Sequence, residues 1–290
     1  MFEFEGRTAV VTGAASGIGA ALARKFAALG CNLVLADLDG PRLAETARAI
    51  GGNVVTLETD VANPDAVQTL ADLAFDRFGT VELLCNNAGI APSARTRAVW
   101  EFAVEDWQWA LSVNLMGLVH GLRAFVPRML ASGRRGHIVN TLSAASLIGG
   151  AFSPLYGATK HAALRATEGL QASLAEMGAP IGVTALCPGM VATDIHNAER
   201  HRPAALVPEG GAVPDNDADA GWFATMRGQA IQPEAVADMV VAAIHANLFW
   251  LLTDAGYDPL IEDRMRSMLD RRNPGVVDHT TPRRVNPQGQ

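Results

Sequence analysis

Short apolar runs alternate along the chain with longer stretches in which apolar residues recur every three or four positions. The short runs predict seven strands, over residues 7–12, 32–37, 53–58, 81–86, 137–142, 181–186 and 249–252. The longer stretches predict helices over residues 17–29, 41–50, 64–78, 105–130 and 155–177, and one that starts at 233. Strands that alternate with helices of this length are typical of an α/β fold, a doubly wound parallel sheet with helices on both faces.

The same pattern divides the chain, which we expect to form one domain over residues 1–290. Residues 4–193 carry most of the strands, and residues 233–253 add the last helix and strand. Residues 194–232 break the alternation, and a connection of this length in a compact domain is typical of a lid. Residues 254–290 form a polar C-terminal extension, expected on the surface or at a subunit contact. Pro127 is expected to kink the end of the fourth helix.

Composition and charge narrow the classes of function. The 290 residues are 49% apolar and 18% charged, which is enough to bury a large core. The formal net charge is −7 and no basic stripe appears, so no nucleic-acid partner is expected. The N-terminus lacks the features of a secretion signal, and no apolar run approaches the roughly 18 residues of a membrane span. Cys31, Cys85 and Cys187 lie far apart in apolar segments, which favours buried thiols in a reducing cytoplasm.

Tyr156 and Lys160 lie four positions apart in a predicted helix, and Ser143 precedes the tyrosine by thirteen positions. Residues four apart share one helix face, so the lysine ammonium lowers the phenol pKa from its usual value near ~10. Ser143 follows a predicted strand, so its hydroxyl is expected at a strand end. Together the three side chains could polarise a carbonyl group or remove the proton from an alcohol.

A glycine-rich turn, TGAASGIG at residues 12–19, joins the first predicted strand to the first helix. Glycines let the backbone approach a pyrophosphate closely, and the helix N-terminus attracts its charge. Asp37 ends the second strand, where a carboxylate can accept both adenosine ribose hydroxyls and repel a 2′-phosphate. Ser16 and Leu38 are not basic, and Arg42 lies a turn into the next helix. NAD is therefore favoured over NADP.

With these motifs in this order, the chain resembles the single-domain short-chain dehydrogenases/reductases from about residue 4 to residue 253. The resemblance implies a Rossmann-like fold, with residues 4–193 as the cofactor and catalytic core and 194–232 as the substrate lid. The pair Asp60-Val61 resembles the family's adenine contact, and the segment NNAG at 86–89 resembles the one that borders the cofactor. The segment PGMVAT at 188–193 resembles the one whose valine and threonine meet the nicotinamide carboxamide.

The resemblance also implies roles for individual residues. Asn114 matches the fourth catalytic residue, thought to hold a water in a proton relay to the lysine; without the resemblance it would be a polar residue on a helix surface. The implied catalytic residues are Ser143, Tyr156, Lys160 and Asn114. The expected cofactor-binding residues are Gly13, Ser16, Gly17, Ile18, Gly19, Asp37, Leu38, Asp60, Val61, Asn87, Ala88, Gly89, Tyr156, Lys160, Pro188, Gly189, Val191 and Thr193. The expected substrate residues are Ser143, Ala145, Phe152, Tyr156 and Gly189.

The expected reaction interconverts a secondary alcohol and a ketone by hydride transfer to NAD, with Tyr156 as general acid/base. Small and apolar residues around the expected substrate site favour a hydrophobic or aromatic substrate. An NADP-dependent carbonyl reductase and a non-catalytic dinucleotide-sensing protein remain alternatives. The resemblance further implies a homotetramer or homodimer built through helices 105–130 and 155–177. No metal site is expected, because the seven histidines lack ligand spacing and are expected on the surface or in loops.

Overall fold

In the part of the chain that the structure describes, seven parallel strands form one sheet in the order β3-β2-β1-β4-β5-β6-β7. The structure is a computed structural model that describes residues 1–92, 97–150, 153–211 and 230–274. The strands are β1 (Thr8–Thr12), β2 (Asn32–Asp37), β3 (Val54–Glu58), β4 (Leu83–Asn86), β5 (Gly136–Thr141), β6 (Ile181–Cys187) and β7 (Trp250–Leu252). The strand order reverses between β1 and β4, so the predicted doubly wound α/β fold is confirmed.

Helices cover both faces of this sheet. Those of the described residues are α1 (Gly17–Ala28), α2 (Gly40–Ile50), α3 (Pro64–Phe78), α4 (Val104–Leu111), α5 (Gly117–Ala131), α6 (Pro154–Glu176), α7 (Pro233–Ala246) and α8 (Asp258–Leu269). Their starts follow from local chemistry. The Asn63 side chain accepts a hydrogen bond from Asp65 N at 2.9 Å, and Pro64 begins α3 without needing an N–H partner.

An apolar layer lies on each face of the sheet. On one face, Val11 of β1 belongs to a buried cluster with Phe26 of α1 and Ile244 of α7. On the other face, Val10 belongs to a cluster with Phe125 of α5. Neighbouring residues of a strand point to opposite faces, so a strand covered on both sides must be apolar throughout.

The predicted helix over residues 105–130 is wrong in one respect, because the structure divides it into α4 and α5. A π turn, Ser112–Met116, separates them, and in it Gly117 N donates to Ser112 O. Such turns accommodate an extra residue and are frequent at functional sites. Gly117 passes so close to Val61 that an added Cβ would lie 2.7 Å from Val61 Cγ2. The helix α5 continues through Pro127, and the expected kink at this residue stays a prediction.

The combined stretch Val104–Ala131 is, among the described helices, long and apolar enough to cross a membrane by length and composition alone. Half of its most apolar window is buried inside the protein, and Phe125 packs against the sheet. A core helix meets the same criterion, so the stretch is weak evidence for a membrane span.

The C-terminal extension contains a helix that the sequence pattern did not predict. A 3₁₀ turn, Ala255–Tyr257, leads from β7 into α8. Arg264 Nη1 donates to Leu147 O at 3.0 Å, and Ser267 is buried, so α8 is docked on the rest of its own chain. The helix buries few apolar side chains, and Met265, Met268 and Leu269 are exposed.

Candidate active site

Loops that follow four neighbouring strands meet at the carboxyl edge of the sheet. Those after β1, β4, β5 and β6 hold Gly13, Asn87, Ser143 and Pro188, and ligands of such sheets bind at this edge. A cleft of about 390 Å³ beside Tyr156, here the tyrosine cleft, opens there. A second one of about 440 Å³ beside Gly13 is the glycine-loop cleft. The two clefts are adjacent and share the lining residues Ile18, Asn87, Gly89, Thr141, Thr193 and Ile195.

Tyr156 and Lys160 lie in the first two turns of α6, and both line the tyrosine cleft. Lys160 Nζ lies 5.7 Å from the centroid of the Tyr156 ring and donates to Thr141 O at 3.0 Å. The lysine side chain is buried, and this burial lowers the pKa of Lys160 to about 8. The ammonium group is therefore fixed beside the phenol and gives up its proton more readily than a surface lysine.

Ser143 lies two residues beyond the end of β5, where the sequence placed it. Its Oγ accepts a hydrogen bond from Ala145 N at 3.1 Å, and its backbone N donates to Ser146 Oγ at 3.3 Å. These bonds hold the hydroxyl in the wall of the tyrosine cleft. Three of the expected catalytic side chains therefore lie around one cleft.

Asn114 lies in the π turn and is 3% exposed, so its interpretation as a helix-surface residue is wrong. Its Oδ1 accepts from Ile90 N at 2.9 Å, and its Nδ2 donates to Ile90 O at 2.9 Å and to Thr159 Oγ1 at 3.0 Å. A Cβ added to Gly89 would lie 3.2 Å from Asn114 Oδ1 and 3.3 Å from Lys160 Nζ. Both polar atoms therefore border the same small space, which a Cβ at position 89 would crowd.

The glycine loop takes conformations that favour glycine. Gly13 and Gly17 have positive φ angles of 68° and 53°. A Cβ on Gly13 would lie 2.9 Å from Ala88 Cα, and one on Gly17 would lie 2.9 Å from Thr193 Cγ2. The start of α1 is thus open to the cleft. Gly19 lines neither cleft, because it packs against Gly13 O within the loop itself.

Two threonines that the sequence analysis did not single out join three strand ends. Thr12 Oγ1 accepts from Asn87 N at 3.0 Å and from Ala88 N at 3.1 Å. Asn87 Nδ2 donates to Thr12 O at 3.0 Å, and its Oδ1 accepts from Thr141 Oγ1 at 3.1 Å. This network fixes the positions of the glycine loop and the NNAG segment relative to each other.

Asp37 is held in the wall of the glycine-loop cleft by the backbone. Its Oδ2 accepts from Ala15 N at 2.9 Å, and its Oδ1 accepts from Asp39 N at 2.9 Å. The carboxylate therefore both fixes the glycine loop and presents its negative charge to the cleft.

The structure adds two basic side chains to this cleft that the sequence analysis did not place there. Arg200 and His201, from the segment after β6, line it together with Asp37. Burial is the largest cause that lowers the pKa of His201, the charge of Arg200 lowers it further, and the charge of Asp37 raises it. Arg42, the basic residue noted in the sequence, pairs with Asp194 across 3.6 Å.

An ion-pair cluster around the buried Arg202 side chain, here the Arg202 latch, lies behind the α4 side of the glycine-loop cleft. Arg202 lies between two 3₁₀ turns, Ile195–His201 and Ala204–Leu206. Its Nη2 lies 2.9 Å from Asp106 Oδ1, its Nε lies 2.6 Å from Glu199 Oε2, and its Cζ lies 4.2 Å from the Trp109 ring centroid. The described part of the predicted lid is thus docked on α4, while residues 212–229 lie outside the described residues.

The sequence-predicted cofactor residues, Gly19 apart, line one or both clefts. In the glycine-loop cleft they are Gly13, Ser16, Gly17, Ile18, Asp37, Leu38, Asp60, Val61, Asn87, Ala88, Gly89 and Thr193. In the tyrosine cleft they are Ile18, Asn87, Gly89, Tyr156, Lys160, Pro188, Gly189, Val191 and Thr193. The substrate candidates Ser143, Ala145, Tyr156 and Gly189 also line the tyrosine cleft, and Phe152 lies outside the described residues. Their contacts with ligands stay predictions.

The polar residues of the tyrosine cleft to which the sequence analysis gave no role include His161, His196 and Tyr257. His161 Nδ1 lies 2.9 Å from Gly157 O, and burial lowers the pKa of this imidazole. Tyr257 reaches the cleft from beyond β7, so no local motif marks it. In the sequence, Tyr257 is notable only because it is one of two tyrosines in the chain.

The positions of the histidine, cysteine and acidic side chains can be compared with the expectation of no metal site. Among the described residues, no group of three or more His, Cys, Asp or Glu side chains is placed to hold a metal ion. His137 of β5 is buried, contrary to the expected surface position, and its Nε2 lies 2.8 Å from Thr184 Oγ1. The three cysteines are buried free thiols, as expected.

Known proteins resemble this chain in sequence and in fold. Residues 7–204 match the short chain dehydrogenase family model. The chain is 32% identical over 284 residues to the CLA biosynthesis dehydrogenase/reductase of Lactiplantibacillus plantarum, with 95% of this chain and 98% of that protein covered. It is 43% identical over 189 residues to 1-deoxy-11-beta-hydroxypentalenate dehydrogenase of Streptomyces avermitilis, with 64% and 69% covered. The crystal structure of a short-chain dehydrogenase/reductase from Burkholderia phymatum in complex with NAD matches with a TM-score of 0.90 and 41% identity, covering 96% of this chain and 99% of that one.

Proposed function

Because the chain belongs to the short-chain dehydrogenase family, we propose that it is an NAD-dependent oxidoreductase that interconverts a secondary alcohol and a ketone. One observation carries the proposal. Ser143, Tyr156 and Lys160 line a cleft that lies beside, and shares a wall with, the cleft formed by the glycine loop and Asp37. A substrate in the first and a dinucleotide in the second would meet at their shared wall, near Thr193.

Tyr156 is the general acid/base of the proposed reaction. During oxidation its phenolate takes the proton from the substrate hydroxyl, and Ser143 Oγ hydrogen-bonds the same oxygen. Lys160 stabilises the phenolate through its charge, which acts strongly because the ammonium group is buried 5.7 Å from the ring centroid. A nicotinamide dinucleotide held by the glycine loop and Asp37 would supply the hydride acceptor for the carbinol carbon.

Asn114 serves as a positioning residue in this proposal. Its three hydrogen bonds hold Ile90 and Thr159 in place, and Thr159 Oγ1 in turn donates to Tyr156 O at 2.8 Å. The space beside Gly89 borders both Asn114 Oδ1 and Lys160 Nζ. We assign to that space the relay that passes protons between Lys160 and solvent.

The residues of the glycine-loop cleft fit a dinucleotide. Gly13 and Gly17 leave room for a pyrophosphate at the start of α1, and Asp37 offers an acceptor for ribose hydroxyls. The charge of Asp37 disfavours a 2′-phosphate, and the matching Burkholderia phymatum protein was solved with NAD. Both points support NAD as the preferred cofactor.

Arg200 and His201 favour the alternative, an NADP-dependent carbonyl reductase, because they add basic groups to the same cleft. Two contacts weaken that alternative. The Arg200 guanidinium is turned to Asn197 O, and Arg42 is paired with Asp194. The ratio of kcat/KM for NAD and NADP decides between the two cofactors.

A hydrophobic substrate is the second part of the proposal. Ala144, Ile148, Met190 and Ile195 give the tyrosine cleft an apolar lining, which suits an aliphatic or aromatic alcohol. The Streptomyces relative is named for the dehydrogenation of a hydroxylated pentalenate, which supports a secondary alcohol as substrate class. We further propose a cytoplasmic homodimer or homotetramer.

The test is the initial rate of NAD reduction, beside NADP, over secondary alcohols from short aliphatic to bulky aryl compounds. Turnover with NAD and a preference for apolar alcohols supports the proposal. A protein that binds NADH tightly yet reduces neither cofactor with any alcohol would instead support the alternative of a dinucleotide-sensing protein. A higher kcat/KM with NADP than with NAD would instead support the NADP-dependent carbonyl reductase.

A further inference from the structure

Both tyrosines of this chain line the tyrosine cleft, and only Tyr156 has a role in the proposed reaction. Tyr257 lies in the 3₁₀ turn Ala255–Tyr257. That turn lies beyond residues 7–204, the part that matches the family model. The family resemblance therefore assigns Tyr257 no role, and the structure alone brings it to the cleft.

The Tyr257 ring packs against the loop after β6. Gly189 N donates to Thr253 Oγ1 at 3.1 Å, and Gly256 N donates to Asp254 Oδ1 at 2.8 Å. A Cβ on Gly189 would lie 2.8 Å from Tyr257 Cε2, so the ring edge rests on the glycine backbone. A side chain fixed in this way loses little entropy on binding a ligand.

The Tyr257 hydroxyl makes no hydrogen bond among the described residues, and it is not enclosed by protein. A polar group that a bound ligand covers needs a hydrogen-bond partner from protein, ligand or ordered water. A phenol that a folded chain presents to an apolar cleft without a partner is placed to bind one. A ligand bound in the cleft can provide the acceptor for this hydroxyl.

The charges around Tyr257 define the partner's chemistry. Burial, and after it the charge of Asp254, raises the pKa of Tyr257, so the phenol stays protonated at neutral pH and donates. The same carboxylate disfavours a second negative charge nearby. The complementary group is therefore a neutral oxygen acceptor, such as an ether, a hydroxyl or a carbonyl.

We propose that Tyr257 is a specificity-determining residue whose hydroxyl donates a hydrogen bond to a second, neutral oxygen atom of the substrate. The substrate is thus an apolar secondary alcohol or ketone that carries a further oxygen besides the reacting one. This inference rests on the proposed function of the tyrosine cleft and names the substrate class of that site.

The test compares wild type and Tyr257→Phe on 1-phenylethanol derivatives with a methoxy or an ethyl group at the ortho, meta or para position. The ethyl group matches the methoxy group in size but lacks the oxygen. We expect wild type to prefer the methoxy compound at one position by about tenfold in kcat/KM, the effect of one hydrogen bond in a substrate pocket. In Tyr257→Phe the ratio of kcat/KM for the methoxy and ethyl compounds falls close to one.

Met265→Leu, on the exposed side of α8, is the control and keeps the wild-type ratio.

A ratio near one in wild type at every ring position, or a ratio that persists in Tyr257→Phe, overturns the inference. A second measurement does not depend on turnover. Tyr156→Phe saturated with NADH is titrated with the matched methoxy- and ethylacetophenones, with and without Tyr257→Phe. Absence of turnover with all alcohols counts against the proposed function. The titration still decides on Tyr257, because a methoxy preference that vanishes with Tyr257→Phe supports its role and an unchanged one rejects it.

Discussion

Arg202 Nη2 lies 2.9 Å from Asp106 Oδ1, and the two side chains are only 4% and 9% exposed. This pair joins the segment after β6 to α4, two parts of the chain that are nearly a hundred positions apart. Trp109, under the Arg202 guanidinium, and Leu206, whose carbonyl accepts from Arg202 Nη1 at 3.0 Å, both line the glycine-loop cleft. The Arg202 latch therefore positions one wall of that cleft.

We expect Arg202→Met to weaken NADH binding by about tenfold and to lower the free energy of unfolding by about 2 kcal/mol. The reason is that Asp106 loses the closer of its two arginine partners among the described residues and keeps Arg97 at 3.9 Å and the Ala103 amide. Fluorescence titration with NADH and urea unfolding measure the two effects. Arg24→Met is the matched control, since the Arg24–Glu234 pair is exposed and its loss should cost less than about 1 kcal/mol. Equal, small effects of both substitutions would contradict a positioning role.

Tyr156→Phe should lower kcat at least ~100-fold, the usual contribution of one acid/base group. NADH binding should be largely retained, because the ring and its packing remain. Steady-state rates with the best alcohol of the panel, together with an NADH titration of the same variant, separate the two quantities. Near-normal turnover in this variant is incompatible with the proposed mechanism.

Asp37→Asn should shift the kcat/KM preference from NAD towards NADP by about tenfold, because the negative charge in the cleft wall is lost. Affinity for both cofactors falls as well, since the carboxylate also holds Ala15 N and Asp39 N. The ratio of the two kcat/KM values is therefore the measurement. Asp39→Asn removes a neighbouring carboxylate that caps α2 instead, and it should leave the ratio unchanged.

Gly13→Ala should lower the free energy of unfolding by about 2–3 kcal/mol and reduce NADH binding, because its φ is positive and the added Cβ meets Ala88 Cα. Gly133→Ala separates the two causes. Gly133 has a similar φ of 64° but nothing within 4 Å of an added Cβ. It should cost only about 1 kcal/mol of backbone strain, with normal NADH binding. If both variants lose the same free energy of unfolding, the contact between the added Cβ and Ala88 Cα does not contribute to the loss at Gly13.

Stability should fall in acid partly because of His137. Burial, together with the charge of Arg135, lowers the pKa of His137 to about 4 from 6.5. Between these values the unfolded chain binds more protons than the folded one, so the contribution is complete above pH 6.5 and is lost as the pH falls to 4. Its size is at most about 3 kcal/mol.

The comparison of wild type with His137→Gln by urea unfolding at several pH values measures this contribution. The variant removes the titrating group and keeps a polar side chain near Thr184. We expect its stability to change less steeply between pH 4 and 6.5 than that of wild type. Parallel curves would show that His137 does not titrate in this range.

Local patterns predicted the order of strands and helices and most of the site. Apolar periodicity reports which face of an element is buried, and it placed β1 and α6 within a residue or two. The glycine loop and the Tyr156–Lys160 pair were also visible, because each depends on spacing within one turn or one helix. The sequence by itself therefore determined the fold class and the edge of the sheet where the site lies.

Tertiary structure decided what depends on contacts between distant parts of the chain. Asn114 follows a helical period that gave no reason to bury it, and it is buried because the π turn brings it to Ile90 and Thr159. Tyr257 enters the cleft only because β7 pairs with β6 and places the following turn beside Gly189. The periodicity of a segment carries no information about partners far along the chain, since those contacts form only when the whole sheet is assembled. For that reason the sequence predicted the glycine loop and the Tyr156–Lys160 pair. Only the folded chain showed the Arg202 latch, the burial of Asn114 and the position of Tyr257 in the cleft.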